Sequence, residues 1–348
     1  MPRIDLFYYG DTSPGQSAAQ LYLDIEEQVV LGDQLGYNGV WVTEHHLQWR
    51  GEIPDPLLFL SRLSGRTSRI RLGTSIVCAP YYNPIRLIES ALLLDSISGG
   101  RLDLGVGTGI GDPALSGAMG VDDASTLSAR AKEIFELIRQ AVDEGEITYH
   151  GEYYDYESVV ISPPAERPAK DLVWVAAGRN STELAAANGY RLMMPRPLPL
   201  TERLRFNDEY REVTGDAGEV IHLRSGLVSH TREQARVDAV EFLREYAKVY
   251  LKLDWHGGPD SAQFDEIADE LSFAIGTAGD VAERVNFWTE QFGGTEETAI
   301  QFQGPGVTQE AALRSIELFA AELPGLQGPA AAVTEEAERL VSAAVIED

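Results

Sequence analysis

The run Trp41-Val42-Thr43-Glu44-His45-His46 places a carboxylate and two imidazoles directly after a short β-branched and aromatic stretch. An imidazole titrates near neutral pH and can act as acid, base or hydrogen-bond donor. Successive side chains of an extended segment face opposite ways, so His45 and His46 do not converge on one ion. His150, His222, His230 and His256 show no ligand spacing, and no metal site is expected. Taken alone, the His-His pair reads as structural, with catalysis as the alternative. A second cluster is Gly105-Val106-Gly107-Thr108-Gly109-Ile110-Gly111. It fails the dinucleotide fingerprint, because the third glycine of G-x-G-x-x-G falls on Ile110 or Asp112. These glycines permit either a tight turn or close approach of backbone to a flat ligand. A third is Ala176-Ala177-Gly178-Arg179-Asn180-Ser181-Thr182, which joins a strand to a helix. Backbone N–H groups at such a junction can capture a phosphate, with charge from Arg179 and a hydroxyl from Ser181 or Thr182. A merely capped helix start is the alternative. Cys78 stands alone and reads as a small buried side chain. The acidic pairs Glu26-Glu27, Asp122-Asp123 and Glu296-Glu297 read as solvated surface, not as a glycosidase pair.

These groups depend on elements that alternate along the chain. Short apolar runs at 4–8, 39–43, 70–79, 101–106, 172–177, 191–194, 221–229 and 298–302 read as eight strands. Segments of helical period lie between most of them, at 18–36, 56–66, after Pro84, and at 126–143, 181–188, 201–213 and 231–249. Gly36 can end the first helix, and Thr231 with Gln234 can form a capping box at the last. The Tyr/Pro-rich stretch 149–168 is an excursion outside the repeat. This α/β alternation leaves two architectures, a closed parallel barrel or a doubly wound open sheet. Pro324-Gly325 marks the one late boundary, giving a domain over 1–324 and an Ala/Glu-rich helical tail over 325–348.

With 348 residues, 44% hydrophobic and 24% charged, the chain can bury a large core. Its 28 basic against 55 acidic residues give a net charge of −27, which repels phosphodiester backbones and anionic leaflets. Neither nucleic acid nor a membrane is an expected partner. No signal segment or membrane-length apolar run is visible, so a cytoplasmic protein with a reduced Cys78 is expected.

The ordered motifs resemble the bacterial luciferase-like, flavin-dependent monooxygenase family. They comprise the helix before Gly36, WVTEHH at 41–46, RIRLGTSIV at 69–77, the Pro84 helix and GGRLDLGVGTG at 99–109. The Gly178 turn, Ala185-Ala186-Ala187-Asn188-Gly189, Ile275-Gly276-Thr277 and a final helix ending near Pro324 extend the likeness across 3–324. The resemblance implies a single (β/α)8 TIM barrel with insertions and a C-terminal helical appendage. It implies FMN at the barrel mouth, with Phe7 and the catalytic His45 near the isoalloxazine ring and Glu44 supporting that floor. Ser75-Ile76 would be a non-proline cis peptide. Ala177, Gly178, Arg179 and Ser181 would hold the phosphate. Gly107 and Thr108 stand where the luciferases carry a cysteine and an arginine, which alters a phosphate contact and leaves more space beside the flavin, so light emission is not implied.

The implied chemistry uses reduced FMN as co-substrate and dioxygen to oxygenate a small organic substrate through a flavin 4a-hydroperoxide, with 254–261 as lid. Because no nicotinamide fingerprint is present, reduced flavin would come from a separate flavin reductase. A homodimer is expected. Two rival readings are a deazaflavin-dependent hydride-transfer oxidoreductase of the same superfamily and a non-catalytic flavin-binding or subunit-partner protein.

Overall fold

The computed structural model describes residues 3–323 apart from 48–50, 110–112, 122–123, 197, 216–217 and 294–296. The boundary expected at Pro324 and the tail at 325–348 lie outside the described residues.

The strands are β1 (Ile4–Tyr8), β2 (Gly39–Val42), β3 (Arg71–Thr74), β4 (Val77–Cys78), β5 (Leu102–Gly107), β6 (Glu146–His150), β7 (Asp155–Val160), β8 (Val173–Ala176), β9 (Arg191–Met194), β10 (Val220–Val228), β11 (Phe273–Gly276) and β12 (Glu297–Gln301). Parallel pairing runs β1-β2-β3-β5-β8-β9-β10-β12 and returns to β1, closing an eight-stranded barrel. The open sheet is thereby excluded. The single strand expected over 70–79 is split: β4 resumes pairing with β5 after an interruption at Ser75 and Ile76. The nine-residue β10 pairs with β9 at its start and with β11, an extra strand, at its end. An antiparallel β6–β7 hairpin overlaps the expected excursion, with β6 beginning before it at Glu146.

Alternation along the strands sorts the side chains. Phe7, Trp41, Trp174, Met193, Leu223 and Ala299 fill the barrel, each with at most 4% exposure. Trp41 and Trp174 meet edge to face, 5.2 Å between centroids. A Cβ at position 73 would overlap the Trp41 ring, so Gly73 is what allows two indoles to share this space. Neighbouring residues such as Leu6, Val40, Val42 and Leu72 face outward and are covered by the helices, each burial contributing about 1.5–3 kcal/mol.

The helices begin and end on local chemistry. Ser17 caps the helix Ala18–Leu35, and Gly36 ends it at φ 94°. Thr231 caps Arg232–Tyr246, but the Gln234 amide turns to Asp238 (2.8 Å), so the expected box is half formed. A complete box appears instead at Thr277 and Asp280.

The N-terminal end of the barrel is a charged floor. Arg71 and Arg191 both hold Asp103, and Trp41 Nε1 donates to Asp5 Oδ2 at 2.6 Å. Burial holds the Asp5 carboxyl above its usual range, opposed by hydrogen bonds from Trp41 and Asn38. Burial also raises Glu297, reinforced by repulsion from Asp5. Arg3, 2.8 Å away but half exposed, offsets only part of this.

Candidate functional site

At the opposite, C-terminal end the loops carry the groups singled out from sequence. β2 continues into Thr43, whose hydroxyl donates to the Tyr9 carbonyl (2.9 Å) and ties the mouths of β1 and β2 together. His45, half-buried, packs its ring on Tyr9 with centroids 4.2 Å apart. Its N–H donates to the Ile53 carbonyl at 3.0 Å. Gly51, at φ 74°, brings backbone against the imidazole where a Cβ would collide with it. The ring is thus clamped between an aromatic face and a backbone turn.

His46 follows a different course. Its Nε2 lies 2.8 Å from Glu44 Oε1, and its ring meets Tyr81 edge-on. Glu44, 4% exposed, also accepts from the Cys78 backbone N–H (3.2 Å) and the Tyr82 hydroxyl (2.8 Å). A buried carboxylate with three donors is a brace. It fixes the chain just beyond Ser75 and Ile76, whose peptide bond is cis. Burial raises the Cys78 thiol and the adjacent Glu44 charge raises it further, so the sulfur is no nucleophile.

Ser75 donates its hydroxyl to Met193 Sδ (3.3 Å), and Ile76 packs on the barrel interior beside Phe7. A Cβ at position 107 would lie 2.8 Å from Ile76 Cδ1 and 3.6 Å from the Ala176 methyl. Gly107 is therefore the residue that lets Ile76 lie across the mouth. Thr108 turns its hydroxyl to the Gly109 carbonyl (3.2 Å). A low, largely apolar ledge results, formed by Phe7, Ile76, Gly107 and Ala176.

At the turn after β8, Ser181 Oγ donates to the Ala176 carbonyl (2.7 Å) and the Gly178 N–H to Thr182 Oγ1 (3.3 Å). Asn180 makes no side-chain cap to the helix Ser181–Asn188. Its first N–H groups therefore have no capping oxygen from that residue. Ala177 and Gly178 are half-buried, and Arg179 is exposed. It lies close enough to Glu202 to help lower that carboxyl, behind the larger effect of Arg205.

Sequence reasoning missed a polar cluster on the far side of the mouth. Arg196 follows β9 and donates from Nη2 to the Tyr246 hydroxyl (2.9 Å) and Gln301 Oε1 (2.6 Å), and from Nη1 to Ser225 Oγ. Its guanidinium carbon stands 5.1 Å from the Phe7 ring centroid and 4.6 Å from that of Tyr246. The available signal was position: Arg196 stands just beyond a barrel strand, as His45 and Gly178 do.

His230, just beyond the end of β10, is exposed. The stretch 254–261 is tethered, with Trp255 buried against Phe264 and the Gly257 carbonyl accepting from Arg244 (2.8 Å). A lid there must break these contacts to move. Among the described residues there is no cluster able to hold a metal, and no helix long and apolar enough to cross a membrane.

Comparison with known proteins agrees with this geometry. Residues 3–296 match the family described as luciferase-like monooxygenase. The oxygenase component of a flavin-dependent trigonelline monooxygenase from Acinetobacter baylyi is 30% identical over 69% of this chain and 68% of its own. An F420-dependent glucose-6-phosphate dehydrogenase from Intrasporangium calvum is 26% identical over 88% of this chain and 95% of its own. Among solved structures, a monooxygenase from Streptomyces bottropensis superposes with a TM-score of 0.82 at 24% identity, over 92% of this chain and 98% of its own. The oxygenating constituent of 3,6-diketocamphane monooxygenase from Pseudomonas putida, in complex with FMN, gives 0.76 at 20% identity over 92% and 98%.

Proposed function

Because the chain belongs to the luciferase-like monooxygenase family of oxidoreductases, we propose that it is the oxygenase component of a two-component system. It takes reduced FMN from a separate reductase and uses dioxygen to oxygenate a small organic substrate. The observation that carries this reading is the apolar grouping of Phe7, Ile76, Gly107 and Ala176 at the C-terminal end of the barrel, the end that also carries His45 and the Gly178 turn. The residues present suit a flavin. Phe7, Ile76 and Gly107 offer a plane with no side chain rising at position 107, and the turn at 178–181 offers backbone N–H groups and a guanidinium for a phosphate.

Bound and reduced, the flavin supplies the electrons that activate dioxygen. The chain's own residues do the rest. Ile76 and Phe7 keep water from one face of the ligand. His45, oriented by Tyr9 and Gly51, holds or moves a proton at its imidazole, while Glu44 and His46 fix the loop that presents it. Arg179 and the backbone N–H of Ser181, whose hydroxyl is held by the Ala176 carbonyl, anchor the phosphate. The protein acts as a cytosolic homodimer.

The trigonelline relative, named as an oxygenase component, supports the division of labour with a reductase. The glucose-6-phosphate dehydrogenase relative keeps F420 as the rival cofactor. Anaerobic titration of the purified chain with reduced FMN and with reduced F420, followed by admission of dioxygen while its uptake is recorded, tests the reading. Tighter binding of reduced FMN is expected. Preference for F420, with hydride transfer and no oxygen uptake, would replace oxygenation by dehydrogenation, and flavin binding without oxygen uptake would mark a non-catalytic partner.

A further inference from the structure

We propose that Arg196 is the substrate-selecting residue of the barrel mouth and that it takes organic molecules bearing a carboxylate or comparable oxyanion. This rests on reading the mouth as an oxygenase site.

In a chain of net charge −27, a half-buried arginine should find a carboxylate easily. Arg71 and Arg191 on the barrel floor do, both on Asp103. Among the described residues Arg196 does not: its acceptors there, Ser225, Tyr246 and Gln301, are all neutral, and its buried Nε has none. Asp11, itself buried, accepts from the Tyr246 hydroxyl at 3.0 Å, one hydrogen bond removed from the guanidinium. A partly desolvated guanidinium without a counter-charge is costly unless something supplies one.

Its placement points to a ligand as that source. The acceptors come from β10, β12 and the helix Arg232–Tyr246, so the head group is held from three sides before any ligand arrives. It stands over Phe7, the ring that also forms the ledge. A planar or apolar molecule lying there with an oxyanion at one end would meet an aromatic surface and a fixed positive charge together.

Two molecules in the proposed reaction can present such an oxyanion, the substrate and the pyrimidine edge of reduced FMN, and the test separates them. Calorimetric titration of the full chain, with and without FMN, uses benzoate and its neutral isostere benzamide as probes. Benzoate is expected to bind about tenfold or more tightly than benzamide. Arg196→Gln should erase that preference, Arg196→Lys should keep part of it, and both should leave oxidised and reduced FMN affinity within about twofold. The Lys variant keeps the charge if the Gln variant fails to fold, and the wild-type comparison needs no variant. Equal binding of the two probes, no benzoate binding up to about 10 mM, or a preference that survives Arg196→Gln would overturn the proposal. So would a selective loss of reduced FMN in Arg196→Gln, which would give the oxyanion to the flavin. If the chain binds no FMN, the oxygenase reading fails, whereas the benzoate and benzamide titrations of the flavin-free chain still decide Arg196.

Discussion

His45 and His46 are adjacent in sequence and diverge in their contacts. One ring packs on Tyr9 at the mouth, and the other is held by Glu44. His45→Ala is expected to lower substrate turnover by roughly 10²–10⁴, the usual worth of a positioned acid-base group, while FMN affinity changes little. Single-turnover kinetics with reduced FMN separate the two effects, and normal rates in the variant would remove the role. His46→Ala takes one donor from a buried carboxylate and should cost about 1–3 kcal/mol of stability, read as a lower urea midpoint with FMN still bound. That the two imidazoles diverge was legible from strand alternation alone. What Glu44 touches was not, because Cys78 and Tyr82 reach it only through the chain reversal after Ser75 and Ile76. The position of Arg196 beyond a strand was readable, but its contacts were not, since its partners lie 29, 50 and 105 residues away.

Among the elements, the strands and helices of the repeat follow their apolar periods, and seven of the strand runs are recovered as single strands. The eighth, over 70–79, is split because Ser75 and Ile76 leave the ladder, which a continuous run of β-formers does not announce. β11 went unread as a strand because four residues carry too little period to stand out. The glycines at this end have testable roles. A Cβ on Gly105 would overlap the Thr74 carbonyl, a backbone atom with no rotamer to yield. Gly105→Ala should therefore cost about 3 kcal/mol or more, seen as a large fall in the denaturant midpoint. At the turn after β8, Arg179→Glu should weaken FMN much more than riboflavin, which lacks the phosphate. Equal losses in fluorescence titrations of the two ligands would remove the turn from the phosphate site.

For the whole molecule, the two ends of the barrel respond to different variables. At the floor, Asp5 and Glu297 hold their protons more tightly when folded than unfolded, chiefly through burial. Between the ordinary carboxylate range and about 8 the native state therefore binds more protons, and these two groups lower stability as pH rises through that window. Glu297→Gln should flatten that part of the curve of urea midpoint against pH, whereas an unchanged slope would show that Glu297 is ionised throughout. At the mouth the proposed dependence is on flavin and oxygen. The central claim is that the chain itself makes reduced FMN react productively with dioxygen. Its most direct test mixes the chain, preloaded with reduced FMN under anaerobic conditions, with oxygenated buffer while oxygen uptake and flavin absorbance are followed together. The account predicts that oxygen is consumed well before oxidised FMN reappears, with the delay shortened in His45→Ala. Reoxidation indistinguishable from that of free reduced FMN would contradict it.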